Sequence, residues 1–326
     1  MYARCISAGP CALRVGIIAL VALFVLTVCP TAQAEGKRYA VVVGVNAYDH
    51  SSLSALEYAE ADAVDLAALL ESRGYTVRLL TGPAGRTDPN KAPTKANIET
   101  ALKATLDGCK RDDLVLVALA GHGLQFDELP GAHFCPQDAK PFADRVDTLV
   151  SMDWVYKQLE ECGAGAKLLL VDACRNDPKG GRGRGATGAG VPAPRGLCAV
   201  FSCSPGERAF EHKALGHGVF FHFVLRGLKG KAYDQDGEVT VDSLALYVAK
   251  QVPRQVPDLV GGGARQTPMI TRAEQAGGSP ILLDPARGEK RAKLAFTFGG
   301  AVQDGEHQGR GVIDYVIPGG GPTGWG

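Results

Sequence analysis

The sequence predicts an α/β protein in which a doubly wound, mostly parallel sheet is flanked by helices. Short runs of Val, Ile, Leu and Ala alternate along the chain with longer segments in which apolar residues recur at helical spacing. The apolar runs show no polar alternation, which is typical of strands buried on both faces. Because strand–helix–strand repetition produces neighbouring parallel strands, the pattern favours one sheet with helices on both faces.

The first half of the chain contains most of this alternation. The predicted strands are residues 39–45, 75–80, 114–119 and 168–171, and the predicted helices are residues 59–72, 94–110 and 151–162. Ile98, Leu102 and Leu106 form one apolar stripe of the second helix. Gly74 is a helix stop, and Ser151 is a candidate N-cap.

The second half begins with an interruption. Residues 176–195 are rich in Gly and Arg and have no apolar face, so they are predicted to be a flexible loop. A strand at 197–203, helices at 218–228 and 239–252, and a short strand at Met269 and Ile270 follow. Residues 285–326 are predicted to be a weakly structured tail.

The first 34 residues have the pattern of a secretory signal peptide. Arg4 and Arg14 precede an apolar run from Val15 to Val28, and Ala32-Gln-Ala34 supplies small residues for cleavage. The run is shorter than the roughly 20 residues of a membrane-spanning helix. Cleavage after Ala34 predicts an exported protein, periplasmic or extracellular, without a stable membrane span. An uncleaved N-terminal anchor is the alternative.

Composition excludes several classes of function. Lys+Arg and Asp+Glu are both 35, so no global charge favours nucleic acid or an anionic membrane. Six cysteines follow residue 34 without a C-x-x-C pair, which predicts neither a disulfide scaffold nor a structural zinc site. No G-x-G-x-x-G follows the first strand, which argues against a dinucleotide-binding enzyme.

Two reactive residues follow neighbouring strands. His122 comes just after the third strand and Cys174 just after the fourth. In parallel sheets, active sites gather beyond the carboxyl ends of the strands. A thiolate nucleophile needs an imidazole nearby, and an oxyanion needs donors such as the backbone N–H groups of Gly123 and Cys174. A lone cysteine here is otherwise a buried small hydrophobe.

These motifs resemble the caspase/metacaspase clan, in which an alanine–cysteine signature follows a histidine by about 50 residues. The matching signature here is Asp172-Ala-Cys174-Arg-Asn176, and further similar segments are 43–48, 59–63, 134–138 and 204–207. The resemblance covers about 38–271. It implies a caspase-hemoglobinase-like fold, a peptidase domain at 35–284 and a small-subunit-like part at 197–271. It also implies a cysteine endopeptidase acting on proteins or peptides.

The resemblance also implies a substrate preference. Caspases have glutamine two positions before the cysteine, whereas Asp172 stands here, as in metacaspases. Asp62 resembles the second acidic residue of the metacaspase pocket. Two aspartates would bind Arg or Lys at the P1 position, the substrate residue whose carbonyl is attacked. An exposed first-turn helix residue is the alternative for Asp62, and structural hydrogen bonding is the alternative for Asp172.

One departure leaves a second function open. Metacaspases usually have His-Ser-Gly where this chain has Arg175-Asn-Asp177. A catalytically weak, caspase-like binding or scaffold protein is therefore the alternative to a peptidase.

The Gly/Arg loop occupies the place where caspases are cut between subunits. It carries four basic residues that suit the expected preference, so self-cleavage is a hypothesis and a flexible insertion is the alternative. The candidate positions are Lys179, Arg182, Arg184 and Arg195.

The acidic segment Asp234-Gln-Asp236-Gly237 is predicted to be a turn. An EF-hand calcium loop would need acidic side chains at Ala232 and Ser243. No metal site is predicted, and the Cys/His chemistry requires no cofactor. Calcium dependence through other acidic residues, as in some metacaspases, stays open.

Overall fold

A computed structural model defines the fold. It describes residues 36–126, 129, 131–173, 194–273 and 279–283, together with the backbone of 292–298 and 309–315. The signal-peptide prediction, Cys174 and three candidate cleavage positions (Lys179, Arg182 and Arg184) lie outside the described residues. No helix in the described part of the chain is both long and apolar enough to cross a membrane.

The strands are numbered along the chain. In order they are β1 (Arg38–Gly44), β2 (Thr76–Leu80), β3 (Leu114–Ala120), β4 (Gly123–Leu124), β5 (His133–Phe134), β6 (Val150–Ser151), β7 (Ala166–Asp172), β8 (Leu197–Phe201), β9 (Glu211–His212), β10 (His217–Gly218), β11 (Val239–Thr240), β12 (Met269–Arg272), β13 (Ile281–Leu283), β14 (Ala292–Phe298) and β15 (Gly309–Tyr315).

The α-helices follow the predicted alternation. They are α1 (Ala59–Ser72), α2 (Gly82–Thr87), α3 (Lys95–Leu106), α4 (Met152–Glu161), α5 (Val219–Arg226) and α6 (Val241–Val260). Ser151 is the N-cap of α4, because its hydroxyl accepts a hydrogen bond from the N–H of Trp154 at 3.4 Å.

Six strands form the central sheet in the order β12-β8-β7-β3-β1-β2. All neighbours are parallel except β12, which pairs antiparallel with β8. Successive side chains along the central strands point to opposite faces of the sheet, and each face packs in its own hydrophobic core. Val42 and Leu116 pack with α1, α5 and α6, whereas Val43 and Val117 pack with α3 and α4. This arrangement confirms the predicted doubly wound, mostly parallel sheet.

Helix α6 is longer than the sequence predicts. The predicted end at Val252 was wrong, because the helix continues through Pro253 and Pro257 to Val260. Val252 and Val256 are both fully buried, one helical turn apart. Each buried valine stabilises the fold by about 1.5–3 kcal/mol, which offsets most of the cost of an internal proline.

Several small sheets are not apparent in the sequence. Strands β4, β5 and β6 form one sheet, and β9 pairs with β10 in another. Strands β14 and β15 pair antiparallel within the segment predicted to be weakly structured. The alternation of Leu294, Phe296 and Phe298 with polar or small residues is the local signal for that strand pair.

Candidate active site

The carboxyl edge of the central sheet brings together the two segments that the sequence predicts to be catalytic. Ala120 at the end of β3 pairs with Asp172 at the end of β7. Beyond this pair, the N–H of Gly121 donates to the carbonyl oxygen of Asp172 at 3.0 Å. The described segment that contains β7 stops at Ala173, one residue before Cys174. His122 and the segment leading to Cys174 therefore leave adjacent strands in register.

His122 is held by the loop that follows β1. Its ring Nε2 lies 2.8 Å from the carbonyl oxygen of Ser54, and its backbone N–H donates to Tyr48 Oη at 2.7 Å. A carbonyl oxygen can only accept, so this contact requires a proton on Nε2. The neutral imidazole then carries its lone pair on Nδ1, where a proton can be accepted.

Tyr48 contacts His122 and helps to hold it in place. Its ring lies 5.0 Å from the ring of His122, centroid to centroid, and its hydroxyl donates to the carbonyl oxygen of Val45 at 3.3 Å. Burial raises the pKa of Tyr48 well above its ordinary value. The phenol therefore stays protonated. A Cβ on Gly121 would lie 2.9 Å from this hydroxyl, so only glycine fits there.

The predicted oxyanion donor Gly123 begins β4 at the same edge. Gly123, Ala173 and Phe201 of β8 line one small crevice. The backbone of Gly123 thus borders the segment that leads to Cys174.

An acidic cavity opens beside the histidine. It has a volume of about 120 Å³, and its lining includes His122, Asp62, Asp172, Glu211 and Gly218. A Cβ on Gly218 would lie 2.9 Å from the Oδ2 atoms of both aspartates. Asp62 and Asp172, which the sequence assigned to substrate binding, therefore both lie next to Gly218. They line a cavity that also includes His122, the predicted base.

Asp62 lies deep in this wall. Its side chain is only 2% exposed, so the alternative of an exposed helix residue is wrong. Oδ1 lies 2.6 Å from His217 Nδ1, and Oδ2 accepts from the N–H of Gly218 at 3.0 Å. Burial raises the pKa of Asp62 to about 6, although these two hydrogen bonds act in the opposite direction.

Glu211 adds a third carboxylate to the cavity. Its Oε2 and Oε1 accept from the N–H groups of Glu57 and Tyr58 at 2.9 and 2.8 Å. Those groups lie at the start of α1, where negative charge is stabilised by the helix dipole. Sequence reasoning missed Glu211, because β9 has two residues and shows no periodicity. It also missed the contacts of Tyr48 with His122 and of His217 with Asp62.

Arg195 is the one candidate cleavage position within the described residues. It is exposed and precedes β8, and the N–H of Lys167 at the start of β7 donates to Gly196. It therefore lies at the amino edge of the sheet, whereas His122 lies at the carboxyl edge. The seven residues of β7 separate these edges by about 20 Å.

The segment that resembles part of a calcium loop is a turn, as predicted. Asp234 Oδ1 accepts from the N–H groups of Asp236 and Glu238, each at 3.0 Å. Across the part of the chain that the structure describes, no group of three or more His, Cys, Asp or Glu side chains is arranged to hold a metal ion.

Comparison with known proteins agrees with this fold and site. The sheet order, the antiparallel edge strand and the histidine at the carboxyl edge define a caspase-like α/β domain. The sequence model of the caspase domain family, a peptidase family, matches residues 37–276. The chain therefore belongs to the caspase domain family.

Individual relatives are more distant. Metacaspase-3 of Arabidopsis thaliana is 28% identical over 169 residues, which is 46% of this chain and 46% of that protein. The chain thus spans less than half the length of the curated relative that it matches.

Two crystal structures share the fold. A Geobacter sulfurreducens protein has a TM-score of 0.53 and 18% identity, with 74% of this chain and 95% of that chain covered. Caspase-1 of Spodoptera frugiperda has a TM-score of 0.52 and 19% identity, with 73% and 86% covered. The resemblance to the caspase/metacaspase clan and the predicted fold are confirmed.

Proposed function

We propose that this chain is a cysteine endopeptidase that cleaves after Arg or Lys, with His122 and Cys174 as its catalytic dyad. The observation that carries the proposal is the cavity beside His122, which is walled by Asp62, Asp172 and Glu211. A guanidinium or ammonium group in this cavity would meet carboxylates, whereas an acidic P1 side chain would be repelled. Membership of a peptidase family supports peptide bonds as the substrate.

The proposed reaction begins with proton transfer from the Cys174 thiol to Nδ1 of His122. The thiolate attacks the scissile carbonyl carbon and forms a C–S bond. His122 then returns the proton to the leaving amine as the C–N bond breaks. Water hydrolyses the resulting thioester by the reverse sequence of proton transfers. The contact with Ser54 supports this role, because it leaves Nδ1 as the basic nitrogen.

The proposed oxyanion hole consists of the backbone N–H groups of Gly123 and Cys174. Two such donors stabilise the negative oxygen of the tetrahedral intermediate more than the neutral carbonyl. The crevice shared by Gly123 and Ala173 supports this assignment, because Cys174 is the next residue. No cofactor takes part in this chemistry, and a requirement for calcium stays a separate question.

We further propose export through the N-terminal 34 residues and self-cleavage within residues 176–195. The basic start, the apolar run and the Ala32-Gln-Ala34 pattern support export. Cleavage after Arg195 requires a second copy of the chain, because that residue lies across the sheet from its own His122.

The test uses the full chain and reporter peptides that differ only at P1. Arg and Lys reporters should be cleaved at least about tenfold faster than their uncharged counterparts with citrulline or norleucine, because a charged hydrogen bond is worth about 1.5–3 kcal/mol. Cys174→Ala is the matched control and should be inactive. A preference for Asp, or equal cleavage of Arg and citrulline, would overturn the specificity. A wild-type protein as inert as Cys174→Ala would favour the scaffold alternative.

A further inference from the structure

His217 fixes one wall of the acidic cavity without lining it. It reaches Asp62 from β10, 155 residues away along the chain, with a 2.6 Å contact between Nδ1 and Oδ1. The neighbouring N–H of Gly218 holds Oδ2 at 3.0 Å. Both oxygens of the buried carboxylate are thus oriented by the same two-residue strand. The imidazole is 18% exposed, so it can exchange protons with solvent.

The charges around His217 come from each element packed against it. On α1, Asp62 is joined by Asp65, whose Oδ2 lies 3.5 Å from Nε2. On α5, the ring of His222 lies 6.2 Å away, centroid to centroid. Lys229, which follows α5, opposes protonation, and His212 is the strand partner on β9. The hydrogen bond to Asp62 outweighs these opposing effects and raises the pKa of His217 above its ordinary value.

We propose that His217 is a positioning and charge-setting residue of the acidic cavity, whose protonation weakens the cavity's hold on a basic P1 side chain. This inference rests on the proposed preference for Arg or Lys. A protonated imidazole 2.6 Å from Asp62 cancels one negative charge of the cavity wall. When His217 loses that proton, the negative charge of Asp62 is no longer cancelled. The contact can persist, because the Nδ1–H of a neutral imidazole still donates to Asp62 Oδ1. Affinity for a basic side chain therefore rises with pH.

The experiment measures binding rather than turnover. Full-length Cys174→Ala protein is titrated with fluorescent peptides that end in Arg or in citrulline, between about pH 6.5 and 8.5, where histidine can titrate and Asp62, whose pKa is raised to about 6, is mostly charged. The ratio of the two affinities should rise with pH by about tenfold. His217→Asn keeps an N–H near the Nδ1 position but cannot titrate, so its ratio should change by about threefold or less. His222→Gln is the matched control and should behave like the parent.

Each outcome decides between the claims. An unchanged pH dependence in His217→Asn would overturn the role of His217 and leave the Arg/Lys preference intact. Equal binding of Arg and citrulline at every pH would overturn both. The pKa of His217, measured by NMR, gives a readout without a ligand: it should fall in Asp62→Asn, and an unchanged value would contradict the coupling.

A second inference comes from two thiols on the face of the central sheet opposite to α1. Cys109 follows α3 and Cys162 is the C-cap of α4, and both line a surface cleft between these helix ends. The Cys109 thiol donates to the carbonyl oxygen of Thr105 at 3.2 Å, and the nearby Cys162 adds to burial in raising the pKa of Cys109. Gly163 brings the two backbones together, because a Cβ there would lie 2.3 Å from the carbonyl oxygen of Cys109.

We infer that Cys109 and Cys162 are a site of disulfide formation when the protein meets a disulfide oxidant. Two S–H bonds break and one S–S bond forms, while the oxidant's S–S bond breaks and takes up the two electrons and two protons to become two thiols. Burial raises the pKa of Cys109 to about 12, so the attacking thiolate is scarce and the reaction in the folded protein is slow. The bond would tie the ends of α3 and α4 across a loop of about fifty residues.

The test uses full-length Cys174→Ala protein refolded in a buffer of reduced and oxidised glutathione. Peptide mapping without reduction should find one peptide pair that contains Cys109 and Cys162, lighter by two hydrogens than the separate peptides. The oxidised protein should melt about 5–10 °C above its Cys109→Ser and Cys162→Ser variants. Complete alkylation of both thiols after refolding, or linkage of either to another cysteine, would overturn the pairing.

Discussion

Nε2 of His122 lies 2.8 Å from the carbonyl oxygen of Ser54, although the two residues belong to different loops of the sheet edge. His122 follows β3, whereas Ser54 lies in the connection between β1 and α1. The loop that follows the neighbouring strand β1 therefore orients His122, the proposed base. In a Ser-His-Asp triad, a carboxylate accepts the corresponding hydrogen bond from the histidine. The Ser54 carbonyl accepts it here without contributing a negative charge.

Removal of either dyad member should abolish most activity while the fold persists. Cys174→Ala and His122→Ala should each lower kcat/KM for an Arg reporter by about 10⁴-fold or more, since nucleophile and base act as a unit. His50→Ala, which changes a half-buried histidine that follows β1, is the control. The melting temperature checks the fold, and substantial activity in His122→Ala would contradict the dyad.

Loss of a cavity carboxylate should weaken selectivity more than turnover. Asp172→Asn should reduce the preference for Arg over citrulline by about tenfold to a hundredfold, because a charged hydrogen bond becomes a neutral one. Asp107→Asn, at the exposed end of α3, should leave the preference unchanged. Reporter kinetics at neutral pH provide the measurement. An equal loss on both reporters would show that Asp172 acts structurally, as the alternative holds.

A methyl group at Gly218 should close the cavity. Gly218→Ala places Cβ where it would lie 2.9 Å from the carboxylates of Asp62 and Asp172, so those side chains must move apart. KM for Arg and Lys reporters should rise about tenfold or more. Gly262→Ala is the control, because its Cβ would meet nothing within 4 Å. Unchanged KM values in Gly218→Ala would place the P1 side chain elsewhere.

Loss of the Tyr48 hydroxyl should destabilise the histidine loop. Tyr48→Phe leaves the N–H of His122 without its acceptor, which should lower the free energy of unfolding by about 1–3 kcal/mol. The value of kcat should fall as well, since the imidazole is less firmly placed. Urea unfolding measures the first effect, with Tyr233→Phe, half exposed, as control. A variant as stable as the wild type would refute the bracing role.

Cleavage after Arg or Lys should decline in mild acid. Burial raises the pKa of Asp62 to about 6, so its negative charge is present above that pH and is lost as the pH falls through it. The ratio kcat/KM for Arg reporters should therefore fall near pH 6 more steeply than for citrulline reporters. Asp62→Asn should remove the difference in slope. Parallel profiles for the two reporters in the wild type would exclude Asp62 as the titrating group.

The predictable part of the site follows from local patterns. His122 was predicted because a buried apolar run leads into it, whereas Asp172 was assigned by its place in the signature that resembles metacaspases. Asp62 was placed by resemblance, but its burial depends on packing against β10. Glu211 and His217 lie on two-residue strands, which have too little sequence to show periodicity. The end of α6 was misplaced because buried valines outweighed two prolines.

By itself, the sequence determined the fold class and the main strands and helices around the central sheet, and it predicted the two reactive residues that follow neighbouring strands. These features depend on the spacing of apolar residues over short stretches of sequence, which can be read directly. Only the tertiary structure decided which carboxylates share a cavity and which imidazole faces them. Such contacts join residues more than a hundred positions apart, and they arise from the packing of β9 and β10 against α1 rather than from any local pattern.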